Sequence, residues 1–227
     1  MSSSPVASRF SGGVVWMLAA SVLFVGMTAF VKLARADLST LDVMLWRAAF
    51  ALPITATVAL ITTGRRGGDG VVGRFRGAFG VVDRRAVVVR CIFGFCAMFS
   101  YFTAARGLSV ADLTFVMRLQ PVLVGLLAPV VLGSAERVGR GVWVAGAVGL
   151  LGCAVLLAPG LTLVDGAPQV WALWAFAATV FSAAAHTMLR RLGASDRAGA
   201  VVFWFQASCA AVALLLLAFG PGFAAIS

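Results

Sequence analysis

Within four positions, Arg118, Gln120 and Pro121 put a cation, an amide and a helix breaker inside an apolar stretch. Proline cannot donate to the carbonyl four residues earlier, so Pro121 frees the Met117 carbonyl to face a ligand. A guanidinium beside an amide suits recognition of an anionic or amide-bearing group. The competing reading is a buried structural arginine bonded to carbonyls. Asp112 is a candidate proton-coupling carboxylate, or simply a helix-start acid favoured by the macrodipole. It lies about 240° from Arg118 around a helix, so the two do not share a face. Further along, Thr179, Ser182 and His186 are spaced i, i+3, i+7 and line one helix face. His186 is the single histidine, too few for a multi-histidine metal site. On that stripe it is a pathway residue or proton relay, or it makes a helix-packing hydrogen bond.

The elements that must position these residues follow from composition. Of 227 residues 62% are hydrophobic and 11% charged, with a mean hydropathy of +1.03. A soluble domain carries roughly 25% charged residues, so this chain could not cover its own surface in water. Seven apolar stretches approach the length of about 20 residues that crosses a bilayer: 13–34, 42–63, 87–106, 110–132, 141–159, 169–189 and 199–219. In lipid such stretches must be helical, because the hydrocarbon offers backbone groups no partner. The fold class expected is all-α, a polytopic bundle of seven transmembrane helices. The Ala34-Arg35-Ala36 run resembles a signal cleavage site, but the first stretch is too long for a signal core and reads as a retained helix. Cys91, Cys96, Cys153 and Cys209 all fall inside apolar stretches without metal spacing and read as packing residues.

Thirteen of the 18 Lys and Arg residues, Arg9, Arg65, Arg66, Arg74, Arg76, Arg84, Arg85, Arg90, Arg137, Arg140, Arg190, Arg191 and Arg197, fall on the face shared by the N-terminus and the even-to-odd loops. Lys32, Arg35 and Arg106 fall on the other, and Arg47 and Arg118 lie within helices. The positive-inside rule puts the N-terminus in the cytoplasm and, after seven crossings, the C-terminus outside. Basic residues divided among loops are what membrane insertion requires, not a nucleic-acid surface. The loop 64–86 is read as lying on anionic headgroups; its Gly68, Gly70 and Gly73 follow no strand and make no dinucleotide fingerprint. Arg47, near the outer side, is expected to snorkel to the interface.

Sliding the chain against itself by 158 positions places Trp16 on Trp174 and Trp46 on Trp204. Ser21, Thr28 and Lys32 fall on Thr179, His186 and Arg190, again along one helix face. Helices one and two thus resemble helices six and seven. Five helices separate the two starts, so the second copy must cross the membrane in the opposite sense. Inverted repeats of this kind build secondary transporters with a site near the midplane.

The order of local motifs extends this. Met44-Leu45-Trp46-Arg47-Ala48-Ala49-Phe50 follows the first turn, and Phe99-Ser100-Tyr101-Phe102-Thr103-Ala104-Ala105-Arg106-Gly107-Leu108 ends the third helix. Gln120-Pro121-Val122-Leu123, Leu132-Gly133 with Glu136-Arg137, and Gly146-Ala147-Val148-Gly149 ending in Ala158-Pro159-Gly160 come next. This succession resembles the five-helix unit of the EamA-type drug/metabolite transporter superfamily, over 13–160 directly and over 170–219 through the repeat. The resemblance implies ten helices in two inverted units around a central pathway for small metabolites. It divides the chain into a cytoplasmic N-terminus (1–12), a first unit (13–160) and two helices of a second unit (161–227). Members that take up vitamins or S-adenosylmethionine look nearest. The chain departs from the pattern by ending after the seventh helix and by interposing Ser134-Ala135 before Glu136-Arg137. The expectation is a fragment or truncated product, with a non-transporting membrane subunit as the rival function.

The pathway candidates are therefore Ser21, Thr28, Tyr101, Arg118, Gln120, Thr179, Ser182 and His186, with Asp112 for coupling. No G-x-x-x-x-G-K-[ST] loop, G-x-S-x-G motif or acidic cluster occurs, which argues against ATP hydrolysis and membrane enzymes. The only lysine is in the first helix, against a retinal photoreceptor. No cofactor, metal or nucleic acid is expected. The partners are the bilayer of a bacterial inner membrane, a small polar metabolite of anionic character, and a second protomer if the Gly141, Ala145, Gly149, Cys153 stripe packs between chains.

Overall fold

The computed structural model describes residues 5–34, 38–64, 75, 77–132, 139–157, 169–193 and 195–219. Among them the regular structure is all helical. Its eight longer helices are α1 (Pro5–Ala34), α2 (Thr40–Gly64), α3 (Arg84–Gly107), α4 (Val110–Met117), α5 (Gln120–Leu132), α6 (Arg140–Leu157), α7 (Gln169–Leu192) and α8 (Ala198–Phe219). Among the described residues each apolar stretch falls on helix, with one break at Arg118-Leu119, as a medium without hydrogen-bond partners demands. Five spans, Thr40–Thr62, Arg84–Gly107, Val110–Val131, Val170–Leu192 and Ala198–Ala218, are long and apolar enough to cross a bilayer, and Leu18–Ala34 is a shorter apolar run.

Two expectations change. The stretch 110–132 is two helices, not one, because Pro121 cannot donate to the Met117 carbonyl. The backbone tightens instead: the Leu119 N–H reaches the Val116 carbonyl at 3.1 Å, and the ladder resumes from Leu123 to Leu119. Pro121 then sits in the first turn of α5, where its missing N–H costs nothing. The first helix also begins at Pro5, eight residues ahead of the apolar stretch expected from 13. The glycines at 68, 70 and 73, Glu136-Arg137, Ala158-Pro159-Gly160 and the side chains of Trp16, Ala145, Gly149 and Cys153 lie outside the described residues.

Polar caps set where helices start. Ser39 and Asp42 bracket the first turn of α2, with Ser39 Oγ donating to Asp42 Oδ2 at 2.6 Å and the Asp42 N–H to Ser39 Oγ at 3.2 Å. Ser109 and Asp112 repeat this box at α4, at 2.7 and 3.1 Å. Each pair satisfies backbone donors that a helix start leaves open. Within the spans, hydroxyls bond back to carbonyls one turn earlier, as Thr28 does to Phe24 and Thr187 to Ala183, so they enter lipid without an open donor.

The core is centred on α3 and α7, which pack along most of their length, while α8 packs on α2 and α3 and α5 covers another side of α7. Small residues make the close approach possible: Ala104 and Ala105 of α3 and Ala175 and Ala178 of α7 are buried in one cluster. Gly107 is required at the end of α3, since a Cβ there would enter the Trp171 indole. At this end Lys32 donates to the Leu108 carbonyl at 2.9 Å, tying α1 to α3.

At the opposite end the start of α3 meets the α7–α8 connection. Asp83 caps α3 by accepting from the Ala86 N–H at 3.0 Å and faces Arg191 at 3.5 Å. Asp196 takes the N–H groups of Val82 and Asp83 at 2.6 and 3.3 Å and the Ser195 hydroxyl at 2.7 Å. Arg197 donates to the Gly77 carbonyl and the Trp204 indole to that of Phe79. Partial burial of Asp196 works against its charge, but the Val82 amide, the Ser195 hydroxyl and the Asp83 amide outweigh it and hold the carboxyl below the ordinary range. A depressed carboxyl stabilises the folded state above its unfolded value and stops doing so as pH falls through the folded one. Asp196→Asn is therefore expected to lower the melting temperature at neutral pH. The difference from the parent should shrink as pH drops below the ordinary carboxylate value of 3.8; a gap that is constant down to low pH would contradict the latch.

Candidate functional site

The structure sorts the candidate residues into two polar contacts separated by packed side chains. In the first, the Thr28 hydroxyl of α1 lies 3.1 Å from the Tyr101 hydroxyl of α3. Thr28 also donates to the Phe24 carbonyl, so the tyrosine hydroxyl is the donor across the pair and Thr28 the acceptor. Both are buried, and Tyr101 packs with Val31, Met44 and Val116 in the same apolar cluster as Ala175 and Ala178.

The second contact forms at the break between α4 and α5. Gln120, the first residue of α5, comes within 3.1 Å of His186 Nδ1 on α7. The same nitrogen lies 2.8 Å from the Ser182 carbonyl and 3.5 Å from the Ser182 hydroxyl. A carbonyl only accepts, so Nδ1 is the donor in the 2.8 Å contact, and the Gln120 amide lies beside the same nitrogen through its Nε2. The other ring nitrogen, Nε2, is then an acceptor on an exposed histidine. One turn away, Thr179 donates to the Ala175 carbonyl at 2.8 Å, with the Val116 carbonyl and Met117 Sδ each 3.4 Å from its hydroxyl. The stripe Thr179-Ser182-His186 therefore runs along the broken end of α4, where the proline has loosened the carbonyl ladder.

Arg118 occupies the break itself, as the last cap of α4, and its side chain is exposed. It is not the buried structural arginine weighed against recognition. Ser21 is exposed on α1 while its repeat partner Thr179 is fully buried. The reason is tertiary: α7 is covered by α3, α4 and α5, whereas α1 packs lightly on α3.

Asp112 is fully buried and its carboxylate takes both the N–H and the hydroxyl of Ser109. Asp42 does the same at α2, so the geometry gives Asp112 a capping task whatever else it does. Asp112→Ala removes the N3 half of the box whose N-cap is Ser109 and is expected to cost about 0.5–2 kcal/mol, the range of a lost helix cap. Asp112→Asn keeps an acceptor oxygen and should cost less than half of that in thermal unfolding.

Two arginines behave differently from their sequence reading. Arg47 does not snorkel to the interface. It turns inward, its Nη1 at 3.1 Å from Met98 Sδ and 3.4 Å from Gln206 Oε1. Arg90, counted with the inner-face loop cations, lies in the second turn of α3 with its head inside the bundle. Its guanidinium stacks over Phe205 at 4.6 Å, and Nε and Nη1 are buried without a hydrogen-bond partner. Gly94 makes room for it: a Cβ there would fall on Arg90 Nη1 and the Phe205 ring. Arg90 and Gln206, the buried α8 residue that faces Arg47, were missed because one sits near a charged loop and the other inside an apolar run. The i+4 glycine after Arg90 is the signal that marks an arginine folded back along its own helix.

Comparison with known proteins adds the family. The EamA-like transporter family matches residues 11–158. The chain is 27% identical over 215 residues to the Pseudopaline exporter CntI of Pseudomonas aeruginosa, found in two strains, covering 93% of this chain and 68% of that protein. That relative is an exporter rather than one of the uptake proteins the motifs resembled. No solved structure matches the chain.

Proposed function

The chain belongs to the EamA-like transporter family, and we propose that it acts as a secondary transporter of small polar metabolites along the polar lining of α1, α3, α5 and α7. The observation that carries this reading is the Gln120–His186 contact at the broken α4–α5 helix. A broken span with an exposed imidazole acceptor, a nearby guanidinium and a hydroxyl stripe is a ligand-facing arrangement within lipid. Arg118 supplies the cation and His186 Nε2 the acceptor, which suits a metabolite bearing both an anionic group and a hydrogen-bond donor. Export is the direction adopted, on the similarity to an exporter.

In this reading α1, α2, α3, α4 with α5, α6, α7 and α8 make seven crossings of a bacterial inner membrane, N-terminus inside. Residues 13–160 form one unit and 161–227 the start of an inverted one. Two features support it: α2 and α8, aligned by the repeat, pack against each other, and the helix ends meet as alternate crossings require. Labelling single cysteines at the starts of α1 and α7 from each side tests the topology; labelling of both from one side would end it.

The transport site is tested by thermal unfolding of the purified chain against panels of anionic, zwitterionic and cationic metabolites. A ligand at a hundredfold its Kd adds about 2.7 kcal/mol, so an anionic class should raise the melting temperature and Arg118→Gln should abolish the shift. A folded protein that no class stabilises would remove the site. Coupling through Asp112 requires that Asp112→Asn eliminate the pH dependence of transport.

A further inference from the structure

A groove of about 1000 Å³ opens on the side of the bundle between α3 and α8, and neither Gln120 nor His186 lines it. Val88 and Ile92 of α3 form one wall and Val212 of α8 the other. Val88 and Ile92 are each 56% exposed, so the wall faces whatever surrounds the protein. Ser208 gives the groove no open donor, since its hydroxyl already bonds the Trp204 carbonyl at 2.7 Å. Along its length the groove is therefore apolar, and water would leave its lining unsolvated.

Charge is confined to one end. Arg84 stands at the mouth, in the first turn of α3, and Arg85 beside it is exposed. A cation in the first turn runs against the helix dipole, so helix stability alone does not account for either. The carboxylates nearby are already engaged: Asp83 caps α3 and faces Arg191, and Asp196 binds backbone N–H groups. Trp204 lines the same mouth with its indole N–H bonded to the Phe79 carbonyl, an amphipathic ring at the level of headgroups. An apolar slot with cations and an interfacial tryptophan at one end complements an amphiphile of one form: a long chain with an anionic head.

We propose that this groove holds an acyl chain of an anionic phospholipid, its headgroup on Arg84 and Arg85. The lipid comes from the cytoplasmic leaflet, where the orientation above places that end, and anionic lipids on that side seat on basic sites between helices.

Native mass spectrometry of the full chain in neutral detergent, with dioleoylphosphatidylglycerol or dioleoylphosphatidylcholine at equal concentration, tests the assignment without reference to transport. The expected result is about fivefold more phosphatidylglycerol adduct for each arginine engaged. Removing both charges in R84Q/R85Q should bring it to the phosphatidylcholine level, and Ile92→Trp, which fills the slot from an exposed position, should remove both adducts while thermal unfolding is unchanged. Equal binding of the two lipids, or a phosphatidylglycerol adduct that survives Ile92→Trp, overturns the proposal. So does efficient disulfide crosslinking of two Ile92→Cys chains in lipid vesicles, which would make a second copy the occupant.

Discussion

Leucine at position 94 is expected to drive α3 and α8 apart and lower the melting temperature by on the order of 10 °C. A Cβ there would meet the Arg90 guanidinium and the Phe205 ring together, and neither can retreat without leaving the other. Overpacking costs about 1–3 kcal/mol in well-packed cores, and here it also displaces a buried cation, so the upper end applies; each kcal/mol shifts a chain of this size by about 2–4 °C. Arg90→Met should do the opposite. Stacking on Phe205 returns about 0.5–2 kcal/mol. Against it stand an insertion cost of about 2.5–3.5 kcal/mol for arginine in a span and two buried N–H-bearing nitrogens without partners. The cost is larger, so methionine should stabilise the fold by about 1–2 kcal/mol. In the background of Arg90→Met, Gly94→Leu should lose much of its effect, which a double-mutant cycle reads directly. Additive effects would mean that the guanidinium does not occupy the space above Gly94.

The second large effect is on transport. His186→Leu is expected to reduce transport at least tenfold with little change in melting temperature, because the imidazole is exposed and its loss opens no core cavity. Gln120→Leu should cause a similar loss, since without the amide the ring is no longer held from α5. If the two act as one unit, the double variant is no worse than either single change, the non-additivity expected of a shared site. Independent, multiplicative losses would show that Gln120 and His186 meet the substrate separately. A fall in melting temperature matching the transport loss would assign the contact to helix packing.

Much of this protein was legible before any coordinate. Hydrocarbon cannot satisfy a backbone donor or acceptor, so long apolar stretches had one available conformation, and among the described residues they are helical apart from the break at Arg118-Leu119. Pro121 was legible as a helix breaker, but Pro53 and Pro129 sit inside α2 and α5 without ending them, so where a proline splits a span was not. Asp112 was weighed as a helix-start acid, and it closes the capping box of α4 because capping needs only residues within one turn.

The site residues were a different matter. The face shared by Thr179, Ser182 and His186 follows from periodicity, but nothing local says that Gln120 is what meets it. Thr28 and His186 are aligned by the repeat, yet one pairs with Tyr101 on α3 and the other with Gln120 on α5. Arg47 read in sequence as snorkelling and Arg90 as an inner-face loop cation; the fold turns both inward because Met98, Gln206, Phe205 and the bare backbone at Gly94 leave room there. The sequence by itself determined everything that a bilayer or a single helical turn dictates. Which polar side chains meet across helices was decided only when the helices packed, because contacts between residues 66 to 159 positions apart depend on rotation and depth that no local pattern encodes.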